Sequence, residues 1–333
     1  MNKKLVFFIC LIGIILSATC VSAAEDVGQT NIRDTSNLDA NGGILAIPSS
    51  ENEILGADEP GTFTELQAEI NNATNELNLT KDYQWDNAFT NYSIKINKPI
   101  TINGNGHTID ASGHYGLRIF EINVNRGIIL DNITFKNGNT DSNGGAINVI
   151  SDLSDSKFTN LNFINNTAPN NNSKTVGNGG AFRFFKTSTN NLFENVTFIN
   201  NTAKRNGGAL YITETSTSDT FNNVIFENNR AENVDGGAIN FHAKVDGATF
   251  NNAIFYKNSA EVSVGGAINI DAGIENSIFN NTVFIDNAAK TGGAMGITGT
   301  ISSLTFENTK FLNNSALIDD GGAINIGPWG HTD

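Results

Sequence analysis

The sequence contains almost no cysteine. Its two cysteines, Cys10 and Cys20, lie within the first 24 residues, so no disulfide can form beyond them. Tryptophan (2), tyrosine (5) and proline (5) are also scarce, although phenylalanine occurs 22 times. The lack of cysteine excludes a disulfide-stapled scaffold, so the stability of the chain must come from packing between its own elements.

The chain also lacks a long apolar run after its N-terminus. Residues 1–24 combine Lys3 and Lys4 with an apolar stretch and small residues ending at Ala24, the pattern of a secretory signal peptide. The apolar stretch is too short to span a membrane comfortably. We predict a secreted or cell-surface protein with no transmembrane helix after signal cleavage. Residues 25–60 are polar and aperiodic, which predicts a flexible spacer.

Basic residues are in the minority. The chain has 20 Lys and Arg against 34 Asp and Glu, a net charge of −14. A chain this acidic is repelled by nucleic acid and by anionic membranes, so we expect no nucleic-acid partner. The carboxylates fall at differing repeat positions and form no cluster. We therefore predict neither a metal site nor a cofactor.

What the chain does contain is a repeat. Successive Gly-Gly-Ala motifs are separated by 35, 28, 29, 29, 27 and 29 residues, and they begin at Gly144, Gly179, Gly207, Gly236, Gly265, Gly292 and Gly321. The longest interval contains "PNNNSKTVGN", which we interpret as a loop insertion. Self-similarity at a fixed period of this length indicates a solenoid, a propeller or an array.

The side chains within each repeat alternate with period two between Asn- and Gly-rich bends. We interpret each repeat as three short strands, one coil of an all-β, right-handed parallel β-helix. Equivalent residues of successive coils then stack about 4.8 Å apart. This predicts an internal column of Phe163, Phe198, Phe226, Phe255, Phe284 and Phe311. It also predicts an amide ladder of Asn166, Asn201, Asn229, Asn258, Asn287 and Asn314.

One segment has a helical period instead. In "TFTELQAEINNATNEL" (62–77) the apolar residues recur at helical spacing, and Thr62 with Glu65 makes a capping box. We predict an amphipathic helix within an N-terminal cap (61–91) that covers the open end of the tube, the alternative being a separate interaction helix. The β-helix would follow over 92–333, with its regular repeats from about 130. After "GGAINIGPWGHTD" no cap follows, so we expect a truncated chain or further coils beyond it.

These repeats resemble the polymorphic outer-membrane-protein (Pmp) type repeat, whose marks are Gly-Gly-Ala-Ile and Phe-x-x-Asn. Within that group the chain is most similar to the adhesin-like surface proteins of methanogenic archaea, since "ITINGNGHTIDASG" before "RIFEI" is similar to the start of their β-helices. The resemblance covers about Thr62 to Ile326. It implies an exported, surface-displayed stalk that attaches cells to partners, and it implies no chemistry.

The side chains predicted to point outward after Gly-Gly-Ala are the candidate binding residues. Stacked amides with aromatic rings suit sugar recognition, and the expected partners are cell-surface glycans or proteins of neighbouring cells or a host. The candidates are Arg183, Phe185, Tyr211, Asn240, His242, Asn269 and Asp271. The alternative is a solvated face with no ligand. A different class of function is a β-helical polysaccharide lyase or glycoside hydrolase. The one candidate catalytic pair is then His242 and Asp271, which we expect to lie diagonal to each other on adjacent coils.

Overall fold

The computed structural model describes residues 59–170 and 175–327. They form a right-handed, parallel β-solenoid of about nine turns with one short helix, which confirms the predicted fold class. The predicted signal peptide, most of the spacer, part of the loop insertion and the final six residues lie outside the described residues. Within the described part of the chain, no helix combines the length and the apolar character that crossing a membrane requires.

Each of the six coils from Ile147 to Ala316 contains five short strands rather than the three that we predicted, whereas the two coils between Ile94 and Lys136 contain three. Together the strands form five parallel sheets. The extra corners arise where residues adopt left-handed backbone angles, as at Asn190 (φ 54°) and Asn200 (φ 55°). Asparagine enters this region at little cost, so the chain turns after every two or three strand residues. We number the sheets in the order in which one coil visits them.

Sheet 1 carries the residues that follow Gly-Gly-Ala, and its strands are Ile94–Ile96, Phe120–Ile122, Ile147–Val149, Phe182–Phe184, Leu210–Ile212, Ile239–Phe241, Ile268–Ile270, Met295–Ile297 and Ile324–Ile326. Sheet 2 consists of Leu153–Ser154, Ser188–Thr189, Ser216–Thr217, Val245–Asp246, Ile274–Glu275 and Ile301–Ser302. Sheet 3 consists of Glu76–Asn78, Ile100–Asn103, Ile128–Asp131, Lys157–Thr159, Leu192–Glu194, Thr220–Asn222, Thr249–Asn251, Ile278–Asn280 and Thr305–Glu307.

Sheet 4 contains the main phenylalanine column, and its strands are Gly61–Thr62, Tyr83–Gln84, Thr108–Asp110, Thr134–Lys136, Asn162–Ile164, Thr197–Ile199, Ile225–Glu227, Ile254–Tyr256, Val283–Ile285 and Lys310–Leu312. Sheet 5 consists of Thr167–Ala168, Thr202–Ala203, Arg230–Ala231, Ser259–Val264, Ala288–Thr291 and Ser315–Ala316. The helix spans Phe63–Asn72.

Two columns of phenylalanine fill the interior. On sheet 4 the rings of Phe198 and Phe226 stack at 4.7 Å between centroids and 2° between planes, and the stack runs without a break from Phe135 to Phe311. On sheet 3 a second stack runs from Phe158 to Phe306. Stacked aromatic pairs contribute about 0.5–1.5 kcal/mol each beyond the burial of their area. The columns therefore couple each coil to its neighbours.

The asparagine ladder lies at the bend after sheet 4. The side-chain nitrogen of Asn229 donates to Oδ1 of Asn258 (3.0 Å) and to the carbonyl of Phe198 (2.9 Å). Its Oδ1 accepts from both the backbone and the side-chain nitrogen of Asn201, at 3.0 Å each. The same pattern runs from Asn166 to Asn314, so every buried amide in it is paired within the stack.

The Gly-Gly pair is required for two separate reasons. Gly236 has a φ of 71°, in the region where L-residues with a side chain are strained. A Cβ on Gly237 would lie 2.0 Å from the carbonyl oxygen of Gly266 in the next coil. The first glycine thus permits the turn, and the second permits the close approach of successive coils.

The helix packs against the first coils of the solenoid. Thr62 and Glu65 form the predicted capping box, and Phe63, Leu66 and Ile70 are buried. Gln67 accepts from the backbone nitrogen of Lys95 (2.7 Å) and donates to its carbonyl (3.1 Å), which satisfies the edge of sheet 1 as a neighbouring strand would. The helix ends at Asn72, and Leu77, which we had included in its apolar stripe, lies in a strand instead.

Candidate functional site

The register of sheet 1 stacks the candidate residues as the repeat spacing suggests. Asn148, Arg183, Tyr211, Asn240 and Asn269 occupy equivalent positions in five successive coils. Phe185, His242 and Asp271 follow two positions later in their own coils. The phase of the strand places the flanking residues, such as Phe182 and Phe184, in the core, so the candidate side chains point to the outer side of the sheet.

The structure corrects the exposure that we expected for this face. The exposed fractions of Asn240, Asn269 and Tyr211 are 0%, 2% and 5%. The cause is the Gly-Gly turn, which folds back over the outer side of the sheet: a Cβ on Gly236 would lie 2.9 Å from Cβ of Asn240. These amides are therefore covered by the turn of their own coil, and they do not form an open binding surface.

Arg183 and Phe185 remain accessible at one end of this row of candidate residues. Phe185 is 40% exposed, and Cζ of Arg183 lies 4.6 Å from the centroid of its ring. The Nε of Arg183 donates to Oγ1 of Thr213 at 3.3 Å. The ring centroid of Tyr211 lies 5.9 Å from Cζ of Arg183. Burial lowers the pKa of Arg183 to about 10 and raises the pKa of Tyr211 to about 12, so Arg183 is charged and Tyr211 neutral at physiological pH.

His242 and Asp271 form the other accessible end. The pairing of Phe241 with Ile270 places His242 directly over Asp271. We had predicted that the two residues would be diagonal to each other, which is wrong. The Nδ1 of His242 lies 2.9 Å from Oδ2 of Asp271, and the other carboxylate oxygen accepts from Asn269 at 2.5 Å. The hydrogen bond to Asp271 raises the pKa of His242. The imidazolium form is thereby favoured, which suits a hydrogen-bond donor better than a general base.

Two asparagines on the outer side of sheet 1 have buried side-chain atoms without hydrogen-bond partners. Both side-chain atoms of Asn240, and Oδ1 of Asn148, have none among the described residues. An unsatisfied buried polar atom costs about 1–3 kcal/mol. Asn148 and Asn240 therefore differ from the asparagines of the ladder beside sheet 4, where the amides are fully paired.

Sequence reasoning missed a second buried ladder, next to the Gly-Gly turns. Asn178 donates to Oδ1 of Asn143 through its backbone nitrogen (3.0 Å) and its side chain (2.9 Å), and Asn206 donates to Asn178 in the same way. Asp235 continues the column, and its backbone nitrogen donates to Oδ1 of Asn206 at 3.2 Å. The polar residue that precedes most Gly-Gly pairs could have indicated this ladder. Val264 occupies that position in one repeat and interrupts the pattern.

His242 and Asp271 are the basic and acidic side chains that contact each other on this face. Among the described residues, no group of three or more His, Cys, Asp or Glu side chains is placed to hold a metal ion. Both carboxylate oxygens of Asp271 are engaged, one by His242 and the other by Asn269. The same face combines the exposed ring of Phe185, the cation of Arg183 and several hydrogen-bonding groups.

Comparison with known proteins identifies the repeat. Residues 195–213 and 223–241 match the model of the Chlamydia polymorphic membrane protein repeat. These two stretches lie in adjacent coils and include Tyr211 and Asn240. The resemblance to polymorphic membrane protein repeats is confirmed for these two coils, whereas the narrower likeness to archaeal adhesin-like proteins stays a prediction. No curated protein and no solved structure has significant similarity to the chain.

Proposed function

We propose that the chain is an exported attachment protein, displayed at the cell surface, in which a non-catalytic β-solenoid presents a glycan-binding strip. The strip consists of Arg183, Phe185, His242 and Asp271. The buried Tyr211 lies in the coil between that of Arg183 and that of His242. The signal-peptide pattern of residues 1–24 supports export, and the two polymorphic membrane protein repeats support display at a surface. The archaeal adhesin-like proteins that the sequence resembles would be the nearest functional analogues.

The observation that carries the proposal is the contrast between repeated and variable positions. The residues of the phenylalanine columns, the Asn229 ladder and the Gly-Gly pairs are occupied by contacts between coils, and most of them are buried. The variable positions of sheet 1 instead place the exposed Phe185 ring next to Arg183 and within two coils of His242. Aromatic faces beside polar hydrogen-bonding groups suit sugars, which have an apolar ring face and a rim of hydroxyls.

Binding of the full-length protein to a glycan array and to whole cells tests the proposal. We expect wild type to bind a subset of glycans, and Phe185→Ala and Arg183→Ala to reduce that binding. Asn233→Ala is the matched control, because Asn233 is exposed on a different part of the coil. If wild type binds cells but no glycan, and protease treatment of the cells removes the binding, the partner is a protein and the glycan assignment is wrong.

The specific observation in favour of an enzyme is the His242–Asp271 contact of 2.9 Å. A lyase or hydrolase would release unsaturated products or new reducing ends from acidic polysaccharides, and His242→Ala would abolish them. We expect neither product from wild type. Detection of either one, with loss in His242→Ala, would overturn the non-catalytic proposal.

A further inference from the structure

The guanidinium of Arg183 has aromatic neighbours but no anionic partner. Its Cζ lies 4.6 Å from the ring centroid of Phe185 and 5.9 Å from that of Tyr211. Its one hydrogen bond to the described residues is the one from Nε to Thr213, which leaves both terminal nitrogens unbonded. No ion pair joins Arg183 to a carboxylate of the described residues, in contrast to Arg118, which contacts Glu121 at 3.1 Å. Half-buried charges are normally paired, so Arg183 is a cation prepared for an external anion.

The surroundings of Arg183 favour a flat, carboxylated ligand. The guanidinium presents its two terminal nitrogens in a fork that matches the two oxygens of a carboxylate. The adjacent Phe185 ring is 40% exposed, and Nζ of Lys186 lies 5.1 Å from its centroid. A six-membered sugar ring can stack on Phe185 while its carboxylate reaches the guanidinium.

The opposite end of the strip is acidic. Asp271 contacts His242 directly, and the charges of Glu214 and Asp235 also act on His242. A second carboxylate of the ligand would be repelled there. Neutral sugars suit this end, because the exposed His242 can donate a hydrogen bond and Asp271 can accept one from hydroxyl groups.

We propose that the strip binds a glycan in which one carboxylated sugar is followed by neutral sugars. The carboxylate pairs with the terminal nitrogens of Arg183, the ring of the same sugar stacks on Phe185, and the neutral sugars extend along the solenoid axis to His242 and Asp271. The three coil steps from Arg183 to Asp271 span about 14 Å at the usual strand spacing, enough for a short oligosaccharide. This inference rests on the proposed glycan-binding function.

Paired oligosaccharides test the inference. The full-length protein is titrated with neutral oligosaccharides that carry one terminal glucuronic acid, and with the same compounds in which that carboxylate is reduced to a primary alcohol. We expect the carboxylated form to bind about tenfold more tightly, the size of one charge-assisted bidentate contact. Arg183→Gln should remove this preference, and Lys157→Gln, which changes an exposed cation on sheet 3, should retain it.

Three further ligands make the test specific. A terminally sulfated counterpart, an oligogalacturonate with a carboxylate on every sugar and a poly-glutamate peptide should each bind more weakly than the singly carboxylated glycan. Stronger binding by any of them overturns the assignment. Equal binding of the acidic and reduced forms overturns the inference but leaves glycan binding in place. If no glycan binds wild type, the proposed function fails and the inference fails with it. A melting curve of Arg183→Gln that matches wild type shows that the variant is folded.

Discussion

Asp219 shows how a single residue can depart from the column to which it belongs. It lies in a buried column with Asn191 of the previous coil, and its exposed fraction is 0%. Oδ1 of Asp219 accepts from the backbone nitrogen of Asn191 at 2.9 Å, and Oδ2 accepts from the hydroxyl of Ser216 at 2.7 Å. Burial raises the pKa of Asp219 in spite of these hydrogen bonds. The fold therefore favours the protonated carboxyl.

Replacing this carboxyl with an amide should stabilise the protein at neutral pH. Because the pKa of Asp219 is raised in the folded state, the protonated carboxyl contributes fully to the free energy of unfolding below the unfolded-state pKa of about 3.9. That contribution is lost as the pH rises through the folded-state pKa. We expect Asp219→Asn to melt at a higher temperature than wild type at pH 7, by about 2–4 °C for each kcal/mol regained. The gain should shrink as the pH falls towards 4. Thermal melts at the two pH values check this, and a lower midpoint for Asp219→Asn at pH 7 would contradict it.

His242 provides a second test at the residue scale. Its hydrogen bond to Asp271 favours the imidazolium, so its pKa should lie above the ordinary value of 6.5. The associated stability is present below pH 6.5 and is lost as the pH rises through the raised pKa. An NMR titration of the ring should show a midpoint above 6.5 in wild type and a lower one in Asp271→Asn. An unchanged midpoint in Asp271→Asn would show that the contact does not persist in solution.

At the scale of the elements, the asparagine ladder should behave as a set of coupled bonds. Removing the amide of Asn229 breaks its hydrogen bonds to the carbonyl of Phe198, to Oδ1 of Asn258 and to both nitrogens of Asn201. The backbone nitrogen of Asn201 is left unpaired, whereas its side chain keeps the carbonyl of Phe163 and Oδ1 of Asn258 keeps the backbone nitrogen at position 229. A buried group left unpaired costs about 1–3 kcal/mol, and each further hydrogen bond that is lost costs about 0.5–1.5 kcal/mol. We expect Asn229→Ala to lose about 3–5 kcal/mol of unfolding free energy after partial relaxation. Denaturant unfolding measures the loss.

The exposed Asn233 is the matched control for this prediction, since it lies only a few residues beyond the ladder. Asn233→Ala should change the unfolding free energy by less than about 0.5 kcal/mol. Similar losses for both variants would mean that the cost reflects the general effect of alanine in this coil. The ladder would then contribute no special stability.

The elements also show which features a sequence can predict. The phenylalanine column and the Asn229 ladder were predictable, because a fixed period places identical side chains one above another. The strand count was not, because a corner such as that at Asn200 depends on a backbone angle rather than on polarity. The exposure of Asn240 was also not predictable, since it is decided by how the turn at Gly236 folds back. Alternation shows which side of a sheet a residue occupies, but not what covers it.

At the scale of the whole molecule, coils contact only their neighbours, so stability is propagated from coil to coil. A defect in a central coil divides the array into two shorter ones, each with fewer interfaces between coils. A defect in the last described coil removes little, because few of the described residues lie beyond it. Identical substitutions at equivalent repeat positions can separate these two cases.

The second glycines of two Gly-Gly pairs provide such positions. A Cβ at Gly237 would lie 2.0 Å from a backbone oxygen of the next coil, whereas the nearest atom to a Cβ at Gly322 is 3.7 Å away. We expect Gly237→Ala to lower the unfolding free energy by about 3 kcal/mol or more and to broaden or split the transition. Gly322→Ala should shift it by less than about 0.5 kcal/mol. Circular dichroism melts with hydrogen exchange measure both effects. Equal losses for the two variants would show that the cost arises within one coil, and that close stacking of successive coils is not the reason for the repeated glycine.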